Sequence, residues 1–175
     1  NGVAHLTAAL QTLHDKNAEF IVSCGDPTVN GTDGQWASYL SIVDASPYGR
    51  DQIHECIGNH EFTGDEAASF TKFRENANNG RLASGSGVPY FSIQLGGDRF
   101  IFLMIEHATP ASADCFSAAQ LDWLEAELAE YYEKGYNVWI VEHSLFYGWG
   151  PGDVTSAPTY PRALTLSYPG HARLK

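Results

Sequence analysis

Gly25-Asp26, Gly58-Asn59-His60-Glu61 and Glu142-His143 each stand directly after a short strand-like segment: Phe20 to Cys24, Ile53 to Ile57 and Val138 to Val141. Asp, Asn and His together make a mixed oxygen and nitrogen donor set that suits Mn, Fe, Zn or similar ions. In open α/β sheets ligands bind outside the carboxyl ends of the strands, and glycine there lets the backbone come close to a ligand. A single Asp or His after a strand is ordinarily a cap or a satisfied loop residue. Three such positions in chain order, two of them beside glycine, point instead to a metal site.

Holding these residues together requires strands that alternate with helices. Val3, Leu6, Leu10 and Leu13 recur at three and four residues, which predicts an opening helix with one apolar face. Phe20, Ile21 and Val22 predict a buried strand over 19–24. Thr32-Asp33-Gly34-Gln35 has the pattern of a capping box before a helix carrying Trp36, Tyr39, Leu40 and Val43. A second strand is expected over 53–57, and Thr63-Gly64-Asp65-Glu66 is a second capping box, opening a helix through Phe70 and Phe73. Tyr90 to Leu95, Gly96-Gly97-Asp98 and Arg99 to Ile105 predict a hairpin with a glycine turn. Ser117-Ala118-Ala119-Gln120 is a third box, and Leu121, Leu124, Leu128 and Tyr131 carry its helix to Lys134, with Gly135 as the C′ residue. Val138 to Val141 predicts a further strand, and 147–170, rich in Gly, Pro, Ser and Thr, a long loop. The alternation indicates a layered α/β fold.

Composition narrows the function classes. The 175 residues carry 10 Lys+Arg against 21 Asp+Glu, a formal net charge of −11. That field and the scattered basic residues argue against general nucleic-acid or anionic-membrane binding. The longest apolar run, Phe100 to Ile105, is too short to span a bilayer. At 43% hydrophobic and 18% charged the chain has apolar surface enough for a core of single-domain size. Cys24, Cys56 and Cys115 are odd in number with no CxxC, so they read as small buried hydrophobes rather than a framework. The compartment stays open, with a secreted or cell-surface bacterial setting as the expectation. The chain opens on Asn1 and its one methionine is Met104, so it is expected to be part of a longer product.

Gly25-Asp26, Gly58-Asn59-His60-Glu61 and the single His143 after Val138-Trp139-Ile140-Val141 resemble the motifs of the calcineurin-like metallophosphoesterases, the superfamily that includes purple acid phosphatases. Gln120-Leu121-Asp122-Trp123-Leu124 is similar to that family's helix before the single-His strand, and Phe91 to Glu106 to its central hairpin. The resemblance thus covers nearly all of 1–175, as one partial domain. It implies an α/β/β/α sandwich, incomplete here, that hydrolyses small phosphate mono- or diesters through two divalent or trivalent metal ions. On that resemblance Asp26 bridges both metals, while Asn59 and His143 serve the second. His60 is the general acid at the leaving group, Glu61 orients its neighbours, and Asn30 is a phosphate contact.

The chain departs from the family pattern at several points. Pro27 stands where a bulky apolar residue is commoner, Leu145 where proline often follows the metal His, and Glu142 directly precedes His143. No Asp-x-His precedes Gly25-Asp26 and no GHxH is present, so these 175 residues alone are expected to be inactive and to hold at most one metal weakly. His171 in Gly170-His171-Ala172-Arg173 is not expected to be a ligand, because Pro169 precedes it where a strand would be needed. His5, His14, His54 and His107 read as surface or core positions. The competing function is a non-catalytic binding or assembly module that keeps the fold.

Overall fold

The computed structural model describes residues 2–62, 65–82, 87–88, 90–104 and 116–143. The chain falls into two compact units, residues 1–89 and 90–175.

In the first unit, α1 (Gly2–Asp15) leads into β1 (Ile21–Ser23), α2 (Asp33–Asp44), β2 (Ile53–Glu55) and α3 (Glu66–Asn76). α1 closes through Asn17 in the left-handed region (φ 61), where Asn17 N–H reaches His14 O (2.8 Å) and Ala18 N–H reaches Leu13 O (3.1 Å). This is a Schellman end with Asn in the usual glycine role. Of the expected apolar face of α1 only Leu10 is buried, and Val3 is 51% exposed. α2 starts as expected, with the Thr32 side chain accepting from Gln35 N–H, and buries Trp36, Tyr39 and Val43. α3 corrects the capping expectation. Its N-cap is Asp65, which accepts from Ala68 N–H, while Thr63 and Gly64 lie outside the described residues. Asp65 is nearer the first helical residue, so its carboxylate reaches the open amides first.

β1 and β2 run parallel, with Ile21 opposite Ile53 and Ser23 opposite Glu55. All of β2 is buried, including His54 and Glu55. Buried polar groups need partners. Glu55 accepts from Tyr39 O–H (2.5 Å) and from Asn78 N–H (2.6 Å). The Asn78 side-chain amide then takes Glu55 N–H (3.0 Å) and donates to Glu55 O (3.0 Å), pairing that residue of β2 as a strand would. Asn78 and Asn79 adopt φ of 51 and 56 to do so. Arg81 donates to His54 Nδ1 (2.8 Å), so the ring proton sits on Nε2, which has no hydrogen-bond partner among the described residues. Burial, with the Arg81 charge adding, lowers the His54 pKa to about 4.

In the second unit β3 (Phe91–Leu95) and β4 (Asp98–Phe102) form the expected hairpin, with Gly96 at φ 59 in the turn. α4 (Ala118–Lys134) then crosses to β5 (Asn137–Val141), which pairs parallel to β4. Ser117 caps α4 as expected. Gly135 ends it at φ 71, with Tyr136 N–H on Tyr131 O and the two rings edge to face. Ile101, Leu103, Phe116, Leu121 and Leu124 form the core beneath the helix. Arg99 reaches under it to Glu127 and lies 4.4 Å from the Tyr131 ring centre.

Candidate functional site

Because β1 and β2 are parallel, their carboxyl ends share one edge, and Cys56 N–H on Ser23 O (2.9 Å) extends the pairing toward it. Beyond that point both chains turn away. The first turn passes through Gly25 (φ 106) and Asp26 (φ 58), a left-handed aspartate placed directly before Pro27. Non-glycine residues rarely adopt this region, and such strain concentrates at functional positions.

The second turn is a short 3-10 helix, Asn59–Glu61. It packs so closely on the first that a Cβ on Gly58 would lie 2.2 Å from Asp26 Oδ1. His60 N–H donates to the same oxygen (3.1 Å), so Asn59 stands between two contacts with the Asp26 carboxylate. The His60 ring is held by Nδ1 against Val29 O (2.6 Å), which requires the proton on Nδ1. Its Nε2 lies 4.0 Å from Asp26 Oδ2.

Glu61 joins the two turns. It is 2% exposed and accepts from Asp26 N–H (3.1 Å) and Gly58 N–H (2.8 Å) on Oε2, and from Thr28 N–H (3.0 Å) and Thr28 O–H (2.8 Å) on Oε1. Burial pushes its pKa up, and the Asp26 charge adds to this; the Thr28 and Gly58 donors pull it back. Asn30 is exposed in the first turn, with its N–H on Gln35 Oε1 (2.7 Å).

Asp26, Asn30, Asn59, His60 and Glu61 therefore share the first unit. His143, two residues past β5 and half-buried, belongs to the second. Among the described residues no three His, Cys, Asp or Glu side chains gather to hold an ion. Within the first unit the donor types still suit an ion of this kind, since Asp26 and Asn59 bring hard oxygens on the two neighbouring turns. Cys115, His107, Leu145 and His171 lie outside the described residues.

One reading of the sequence changes here. Cys24 is exposed rather than buried, because the chain leaves the sheet immediately after Ser23; Cys56 is buried as expected. Thr28 carries no signal in the sequence, yet it is 5% exposed and donates twice to Glu61. Nothing local marks it, since its partner is distant in the chain. Asn78-Asn79 carried a signal, as paired asparagines after a helix favour left-handed backbone.

The family model for calcineurin-like phosphoesterases matches residues 2–168. The crystal structure of a dimetal phosphatase from Danio rerio is similar in fold, with a TM-score of 0.64 at 19% sequence identity. The match covers 82% of this chain and 60% of that one, so the chain spans less than two thirds of that neighbour's length. No curated protein matches the chain.

Proposed function

The chain belongs to the calcineurin-like phosphoesterase family, and from that premise we propose that the full-length protein hydrolyses small phosphate mono- or diesters with two metal ions. The observation that carries the reading is the seating of Asp26. Its carboxylate is held in a left-handed turn, fixed by His60 N–H, against a glycine that no larger residue could replace. Asp26 would bridge the two ions, and Asn59 and His143 would hold one of them. Divalent or trivalent cations of the Mn, Fe or Zn type would supply, when bound, Lewis acidity for activating water and neutralising phosphoryl charge.

The remaining roles belong to the chain's own groups. Because His60 Nδ1–H is committed to Val29 O, its Nε2 carries a proton only in the imidazolium form. A proton for the leaving oxygen therefore comes from that form. Asn30, exposed in the Asp26 turn, is the proposed phosphate contact.

The test is metal content and turnover of the full-length protein. Near two equivalents of metal, with chelator-sensitive hydrolysis of p-nitrophenyl phosphate or its bis ester, is the expected result. A full-length protein that neither retains nor responds to Mn, Fe or Zn would make the domain a binding or assembly module instead.

A further inference from the structure

The Thr28 hydroxyl sits where the two turns are tied. It donates to Glu61 Oε1 (2.8 Å) and accepts Gly31 N–H (3.0 Å), so its direction is set at both ends. Through Glu61 it bears on Asp26, whose N–H is on Oε2 of the same carboxylate. Through the backbone it bears on the next residue, Val29, whose carbonyl holds the His60 ring. Gly31 lies close against the 3-10 turn as well: at φ +59 a Cβ there would lie 2.7 Å from Glu61 O, so only glycine fits at this contact. Thr28 touches neither Asp26 nor His60 by any of these bonds, yet both are oriented by groups that it fixes.

We propose that Thr28 is a positioning residue whose hydroxyl sets the Asp26 carboxylate and the tautomer of His60 together; the Asp26 half of this rests on the metal reading above. The hydroxyl alone makes both bonds. Valine keeps the shape but can neither donate to Glu61 nor accept from Gly31, while serine keeps both bonds.

The test compares parent, Thr28→Val and Thr28→Ser full-length proteins by melting temperature, Mn2+ affinity and the ring 15N shifts of His60. Thr28→Val is expected to bind Mn2+ about 10–100-fold more weakly, the usual scale for losing a group that orients a metal ligand. Thr28→Ser should stay within about threefold of the parent, because the hydroxyl's two bonds survive. In the neutral, metal-free protein, Thr28→Val should shift His60 from the Nδ1–H toward the Nε2–H tautomer, and Thr28→Ser should not. The tautomer readout is independent of metal. A parent that binds no Mn2+ therefore defeats the metal reading, while an unchanged tautomer in Thr28→Val defeats this proposal. It is equally overturned if folded Thr28→Val keeps parental Mn2+ affinity, or if serine loses as much as valine. Should Thr28→Val not fold, Thr28→Ala takes its place with the same expectations. If neither folds, the hydroxyl is a folding requirement and the positioning role falls.

Discussion

Glu55, at the end of β2, and Glu61, in the 3-10 turn just beyond it, are both buried carboxylates, but their partners differ in kind. From the other described residues Glu55 receives one hydroxyl, from Tyr39, and one peptide N–H, from Asn78. From them Glu61 receives three peptide N–H groups and one hydroxyl. A hydroxyl can turn and accept where it formerly donated, whereas a peptide N–H cannot. The Glu55 end is therefore adaptable, and faces a sealed core. The Glu61 end admits only an acceptor, and holds exposed groups in fixed positions.

If the Glu61 end is the working end, the largest loss comes from what it holds. Asp26→Asn in the full-length protein should abolish metal-dependent hydrolysis of an aryl phosphate, because an amide cannot bridge two cations as a carboxylate does. Parental turnover in that variant would place the metals elsewhere. His60→Ala should keep its metal but turn over roughly a hundredfold more slowly, the scale of a lost general acid; metal content measured beside kcat separates the two variants.

The comparison itself is tested by an amide at each carboxylate. Glu61→Gln must point its NH2 at one or more peptide N–H groups, the least damaging choice being Thr28, leaving that donor unpaired at a cost of about 1–3 kcal/mol. Glu55→Gln can accept from Asn78 while Tyr39 reverses its hydroxyl, so it should cost less and leave metal affinity unchanged. Equal losses in urea unfolding would show that the partners' chemistry is not what distinguishes the two sites.

Acid stability gives a smaller effect with two signs. His54, at about 4 instead of 6.5, binds fewer protons folded than unfolded, so its contribution falls as pH drops from 6.5 to about 4. Burial raises the Glu55 and Glu61 carboxyls above 4.5, so their contribution is full below 4.5 and is lost as pH rises through their folded values. The two trends oppose each other. Glu55→Gln should therefore steepen the acid-side loss of stability, and His54→Gln should flatten it, in unfolding measured from pH 4.5 to 7. The smallest effect is expected at the exposed Lys134–Glu130 pair, where Glu130→Ala should leave the melting temperature unchanged within error.

Legibility followed the distance in sequence between partners. The caps at Thr32 and Ser117, the hairpin at Gly96-Gly97 and the end of α4 at Gly135 were readable because each involves neighbours within a few residues. Even there tertiary structure intervened. The third-position glutamine of the first box, Gln35, turns to Asn30 N–H, and that of the third, Gln120, puts both amide atoms on the Met104 backbone. Asn17 ended α1 without a glycine to announce it, and α1 left most of its apolar face outside the core.

By itself the sequence determined the order of elements, the family, and which residue types stand at the ends of the strands. Those follow from periodicity, capping chemistry and glycine punctuation, all of which act along the chain. Only the tertiary structure decided that Glu61 would tie Asp26 and Thr28 to Gly58, that Asn78 would pair with Glu55 of β2, and that His60 would carry its proton on Nδ1. Each of these is a match between a buried polar atom and a partner brought from elsewhere. A donor's need for an acceptor can be read from a residue's type, but the acceptor that meets it is chosen by the fold.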